Sequence, residues 1–158
     1  MGDTTTFRDK WRVLMVDDSE DDVFFVQRAF EKTGLGDGFE SVSNGGEAIA
    51  YLCGDGKYSD RKEYPFPKLI LLDLKMPGVD GFGVLEWLRG HEVCKIVPTV
   101  VFSSSAIEED VKRAYVLGAN AYMTKPSSLP EMLEVVRVTE QFWSRCEMVR
   151  MPVGEKCA

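Results

Sequence analysis

The sequence predicts an α/β fold: a doubly wound, five-stranded parallel sheet with helices on both faces. Three observations predict it. Short runs rich in Val, Leu and Ile alternate along the chain with longer segments of helical periodicity. The runs are continuously apolar rather than alternating with polar residues, the pattern of strands covered on both sides. Carboxylates, a hydroxyl and a lysine stand where four of the runs stop, and open α/β sheets bind their ligands at those strand ends.

The elements follow in order. Trp11 to Val16 is the first strand, running straight into Asp17 and Asp18. The first helix starts near Ser19, carries Glu20, Asp21 and Asp22 in its first turn, and repeats apolar residues at Val23, Val26 and Phe30. Acids there suit the helix macrodipole. The Gly-rich stretch from Gly34 to Gly38 ends it, and a short strand follows from Phe39 to Val42. Asn44 opens a second helix with Ala48, Ile49 and Leu52 on one face. Gly54 to Lys68 is a polar connection with Pro65 and Pro67, long for a compact domain. The third strand ends at Asp73, Pro77 and Gly78 make its exit turn, and a third helix follows Asp80 and Gly81 through Leu85 and Leu88. Pro98 to Phe102 is strand four, stopping at Ser103. A helix from about Ile107 to Leu117 is closed by Gly118. Strand five precedes Lys125, and the last helix begins after Pro126 and runs to the vicinity of Val149, before Pro152.

With 158 residues the chain has room for one core, and its 44% hydrophobic content is ordinary for a globular domain. The domain is expected over residues 10–149, with residues 1–9 and 150–158 as tails and no effector domain. A formal net charge of -7 argues against sequence-independent nucleic-acid binding, which needs basic residues along a phosphate backbone. Cys53, Cys94, Cys146 and Cys157 are scattered with no CxxC pair or zinc-like spacing, and read as free thiols in a reducing compartment. No long uncharged apolar span or signal peptide is present. No membrane association and a cytoplasmic location are therefore expected. The Met1-Gly2 opening with Thr6 is a chance match to a myristoylation pattern.

Asp17, Asp18 and Asp73 are delivered by the ends of two strands. Like charges about 4 Å apart repel by roughly 4 kcal/mol at an effective dielectric of 20, so such a cluster needs protons or a cation. Hard oxygen ligands without His or Cys favour Mg²⁺. Lys125 adds a point charge suited to a phosphate oxygen, and Ser103 adds a hydroxyl donor. Asp is also a competent nucleophile for phosphoryl transfer. Taken singly each residue has a plainer reading. Asp17 and Asp18 fit a helix start, Asp73 a turn, Lys125 the surface, and Ser103 a cap for the next helix. Glu20, Asp21 and Asp22 are assigned to the helix start alone. What the plain readings do not explain is the set of such residues at four strand ends.

The order of motifs resembles the receiver domain of two-component response regulators. They are Val16-Asp17-Asp18, Leu71 to Pro77 with Asp80-Gly81, Val100 to Ser103, Gly118 to Tyr122, and Lys125-Pro126. The likeness runs from about Trp11 to Trp143. It implies the flavodoxin-like receiver fold with strand order 2-1-3-4-5, and it implies roles. Asp73 is the phosphoacceptor for a histidine kinase. Asp18, Asp73 and the backbone carbonyl of Lys75 ligate Mg²⁺, while Asp17 orders metal-bound water. Lys125 pairs with the phosphoryl group, Ser103 hydrogen-bonds it, and Tyr122 is the switch aromatic that turns inward. The Lys125–Pro126 bond is often cis in the family, and proline in any case forces extended backbone at the lysine.

Lys75 and Ser105 depart from the usual residues at positions that tune phosphate loss. The long 54–68 connection and extended last helix resemble stand-alone regulators of phytochrome-type kinases. The expected function is thus a single-domain response regulator, a phosphoacceptor switch rather than an enzyme with a separate substrate. It signals by protein contact or phosphorelay. A phosphorylation-independent pseudo-receiver is the alternative. An aspartyl-phosphate phosphatase fits less well, because Lys75 stands where those enzymes place an acid. His91, the only histidine, reads as a surface residue, so the chain is not a histidine phosphodonor. Met132, Val135, Val136, Phe142 and Trp143 exceed one core-facing stripe, and Phe142 and Trp143 are expected at a homodimer contact. A helix packing its own tail explains the same residues.

Overall fold

Strand residues alternate between two cores, which is why the apolar runs are unbroken. A computed structural model describes residues 12–149. In chain order its elements are β1 (Val13–Val16), α1 (Glu20–Lys32), β2 (Phe39–Val42), α2 (Gly45–Cys53), β3 (Leu69–Leu72), α3 (Gly81–Gly90), β4 (Thr99–Ser103), α4 (Glu108–Val116), β5 (Ala121–Thr124) and α5 (Leu129–Ser144). The sheet is five-stranded and parallel, in the order β2-β1-β3-β4-β5. Val13, Met15, Leu69, Leu71, Val100 and Phe102 point to one side, where they meet Val26, Ala29 and Phe30 of α1 and Met132 and Val136 of α5. Leu14, Val16, Ile70, Leu72 and Val101 point to the other, against residues of α2, α3 and α4. Each fully buried aliphatic side chain here stabilises the fold by about 1.5–3 kcal/mol.

Helix starts follow local chemistry. Ser19, Asn44, Asp80 and Ser128 are N-caps whose side chains accept hydrogen bonds from the backbone N–H groups of Asp22, Glu47, Gly83 and Glu131. Two glycines are required by close approach. A Cβ at Gly81 would lie 2.2 Å from the Asp73 carbonyl oxygen, and one at Gly45 would lie 2.3 Å from the Val79 carbonyl oxygen. Both helix starts therefore press directly on the segment that follows β3.

The 54–68 connection is packed rather than loose. The Tyr58 ring lies 5.0 Å from that of Tyr51, tilted, and 5.1 Å from that of Tyr64, edge to face, centroid to centroid. The Tyr51 hydroxyl donates to the Pro65 carbonyl at 2.9 Å.

Four features differ from the expectations or refine them. The last helix ends at Ser144, not near Val149. Arg145 and Cys146 donate back to the Phe142 and Trp143 carbonyls, tightening and closing the final turn although apolar residues continue beyond it. The Lys125–Pro126 peptide is trans. Cys53 and Cys146 are free thiols, whereas Cys94 is not free. Trp143 is partly buried against the α1–α5 core, while Phe142 is exposed. Trp11 and both expected tails lie outside the described residues.

Candidate functional site

The parallel ladder runs one step past the strands and fixes two carboxylates side by side. Asp73 N–H donates to the Val16 carbonyl at 2.9 Å, and Asp17 N–H to the Val42 carbonyl at 3.1 Å. The register of β1 and β3 thus brings Asp17 and Asp73 together at the carboxyl edge. Each has one oxygen tied to local backbone. Asp17 Oδ1 accepts from Ser19 N–H at 2.9 Å, and Asp73 Oδ1 from Leu74 N–H at 2.9 Å. The other oxygen of each turns toward Lys125, whose Nζ lies 2.6 Å from Asp17 Oδ2 and 3.5 Å from Asp73 Oδ2.

The β4–β5 register delivers the lysine. Lys125 N–H donates to the Ser103 carbonyl at 2.8 Å, one step beyond β5. Its side chain is only 8% exposed, so the ammonium depends on its carboxylate partners. Burial by itself would lower its pKa. Hydrogen bonds to Asp17 and Asp22, with the charges of Asp17 and Asp73, push it up to about 12 instead. It is a permanent cation across the physiological range. Burial raises the Asp17 carboxyl pKa, against the opposing pull of Lys125.

Asp17, Asp18 and Asp73 each offer an oxygen, all within 4.8 Å of one another; Asp17 and Asp73 are buried and Asp18 is exposed. Asp17 Oδ2 is buried, with the Lys125 ammonium 2.6 Å away. The three converging carboxylates, an all-oxygen donor set, fit a hard divalent cation. Lys75 is exposed two residues after Asp73, on the segment that leaves the site.

Ser103, the last residue of β4, is 1% exposed, and its Oγ accepts from Ser105 N–H at 3.2 Å. Tyr122 is half-buried, with its hydroxyl donating to the Ser105 carbonyl at 2.7 Å. Ser105 Oγ in turn donates to Asp110 Oδ2 at 2.7 Å. The predicted Asp17, Asp18, Asp73 and Lys125 therefore come together. Ser103 shares their edge through backbone contact, and Tyr122 holds the adjacent loop.

Asp22 was missed. Assigned to the helix start alone, it also accepts a hydrogen bond from Lys125 Nζ at 2.9 Å. Only the pairing of α1 with the end of β5 reveals this, so no local signal would have found it. The contact of Ser105 with Asp110 was also missed, although the two are only five residues apart.

A family model described as response regulator receiver domain matches residues 13–137. The probable methanogenesis regulatory protein FilR2 of Methanothrix harundinacea is 30% identical over 142 residues, covering 90% of this chain and 89% of that protein. Response regulator Rcp1 of Synechocystis sp. is 34% identical over 142 residues, covering 90% and 93%. A solved Mn(2+)-bound form of response regulator Rcp1 superposes with a TM-score of 0.74 at 33% identity, covering 90% of this chain and 99% of that one. The phosphorylated cyanobacterial phytochrome response regulator RcpA superposes with a TM-score of 0.82 at 32% identity, covering 89% and 99%.

Proposed function

The chain belongs to the family of response regulator receiver domains, and from that premise we propose that Asp73 accepts a phosphoryl group from a histidine kinase. The observation that carries this reading is the convergence of Asp17, Asp18, Asp73 and Lys125 at one sheet edge. A carboxylate oxygen of Asp73 attacks phosphorus of the donor phosphohistidine. The O–P bond forms as the N–P bond breaks, and the imidazole departs with the bonding pair. Lys125 donates to phosphoryl oxygens and offsets the charge gathering there. The Ser103 hydroxyl supplies a further donor once it releases Ser105 N–H, and Tyr122 follows the loop that carries Ser105. Mg²⁺ would be held by Asp17, Asp18, Asp73 and the Lys75 carbonyl, and would supply neutralisation of the phosphoryl oxygens. The protein is a phosphoacceptor switch that assists its own phosphorylation and dephosphorylation.

An open cleft lined by Asp17, Asp18, Glu20, Phe24 and Glu47 lies beside the site, on the β2 side of the two aspartates. Phosphohistidine is charged from ATP, which places the encounter in the cytoplasm. The likeness to RcpA, described as a phytochrome response regulator, supports a phytochrome-type kinase as donor. The receiver unit spans residues 10–149, and output runs by protein contact or phosphorelay. Phe142 is 58% exposed and Val138 44%, one turn apart on α5, which supports a homodimer contact on that helix. Sedimentation of Phe142→Ala as a monomer, against a wild-type dimer, is expected.

Native mass spectrometry with Mg²⁺ and a small-molecule phosphodonor tests the acceptor. Wild type is expected to gain one phosphoryl group, and Asp73→Asn none. Equal uptake by the variant makes Asp73 the wrong residue. No uptake by wild type, from small donors or from a kinase, leaves the pseudo-receiver.

A further inference from the structure

We propose that Asp22 is a positioning residue that competes with the incoming phosphoryl group for Lys125, and so sets how tightly the site holds it. The inference rests on Asp73 being the acceptor. Three carboxylates surround one ammonium that has three N–H groups to give. Nζ lies 2.6 Å from Asp17, 2.9 Å from Asp22 and 3.5 Å from Asp73. The lysine thus leans toward α1 and away from the atom that is to carry phosphate.

Asp22 is placed to exert that hold. It sits in the first turn of α1, where its own N–H donates to the Ser19 side chain at 3.3 Å and so anchors its backbone. Its side chain is 33% exposed, whereas those of Asp17 and Asp73 are at most 9% exposed. Asp22 therefore forms the solvent side of the ammonium's cage, and Asp17 and Asp73 form the inner side. A phosphoryl group on Asp73 adds oxygens on the inner side. To meet them the lysine shifts its donors inward and loosens its bond to Asp22. The Asp22 charge opposes the change twice, by holding the ammonium and by repelling the anion. If Asp22 is neutralised, the anionic partners left to the buried ammonium among the described residues, Asp17 and Asp73, form the inner side of the site.

Asp22→Asn keeps the shape and an acceptor oxygen but removes the charge. The test titrates beryllofluoride, a phosphoryl mimic, in the presence of Mg²⁺ against wild type, Asp22→Asn and Asp21→Asn. Asp21 is an exposed acid of the same turn and serves as the charge control. Asp22→Asn is expected to bind roughly three- to tenfold more tightly than wild type, with Asp21→Asn near wild type. Unchanged or weaker binding by Asp22→Asn overturns the proposal, as does equal tightening by Asp21→Asn, which would make the effect one of general charge. If wild type itself binds no beryllofluoride, the acceptor reading fails and this inference falls with it. If wild type binds, the acceptor reading stands whichever way the variants behave.

Discussion

Arg61 and Lys125 are both cations drawn partly out of water, and they are satisfied in opposite ways. Arg61, in the 54–68 connection, donates to the carbonyls of Tyr51 and Leu52 at 2.8 Å each, and its guanidinium lies 5.4 Å from the Phe66 ring centroid. Those carbonyls belong to the last turn of α2, where the helix supplies too few N–H donors of its own and its dipole is negative. Burial lowers the Arg61 pKa, because its closest partners are neutral. Lys125 is instead pushed up to about 12 by carboxylates. The arginine is used up by the fold. The lysine sits among more negative charge than it can balance, so its surroundings still attract positive charge. A surplus of that kind marks a site built to receive a cation and an anion together.

The largest effect that sharpens this contrast is expected from Lys125→Gln. Loss of the only cation placed against Asp73 among the described residues should cut phosphoryl uptake about a hundredfold or more. The same change leaves buried Asp17 facing Asp73 without compensation, which is destabilising. Mg²⁺ should then raise the melting temperature more in Lys125→Gln than in wild type, because the ion replaces the lost charge. Equal Mg²⁺ shifts in the two proteins would mean that lysine and metal do not share the carboxylates.

Arg61→Met comes next. The Tyr51 and Leu52 carbonyls lose the guanidinium, Tyr51 keeping the Gly54 N–H, and the fold should lose about 2–3 kcal/mol by urea unfolding. Phosphoryl uptake and the Mg²⁺ shift should both match wild type. A folded Arg61→Met protein with impaired uptake would break the division between the two cations.

The same division governs how much was legible in the sequence. The strands were readable because burial on both faces leaves unbroken apolar runs such as Leu69 to Leu72. Helix starts at Ser19, Asn44 and Asp80 were readable because capping is local chemistry. Asp17, Asp18, Asp73 and Lys125 were readable because chemistry placed at strand ends keeps its position in the chain. Long-range pairings were not. Asp22 meets Lys125 across 103 positions, and one helix-start acid looks like another until β5 is set beside α1. The end of α5 was overextended because Met148 and Val149 continue an apolar pattern, while the backbone bonds that close the helix leave no trace in side chains.

Tyr122→Phe tests the smallest effect, a neutral contact at the charged edge. The Tyr122 hydroxyl holds the Ser105 carbonyl, Ser105 N–H reaches Ser103 Oγ, and Ser105 Oγ reaches Asp110. The loop after β4 is thus fastened to β5 on one side and α4 on the other. Deleting one hydroxyl should cost about 1 kcal/mol, because the Ser105 carbonyl loses one neutral hydrogen bond. Global unfolding should move little. Amide exchange at Ser105 and Ile107 should rise, while that of β1 and β3 stays unchanged. If exchange there does not change, Tyr122 does not restrain the loop, and any movement of Ser103 toward phosphate proceeds without it. If exchange rises and phosphoryl uptake is kept, the bond restrains the loop next to the switch hydroxyl and takes no part in the transfer. Tyr122 would then belong with Arg61 as a fastening of the fold, although it stands beside Lys125.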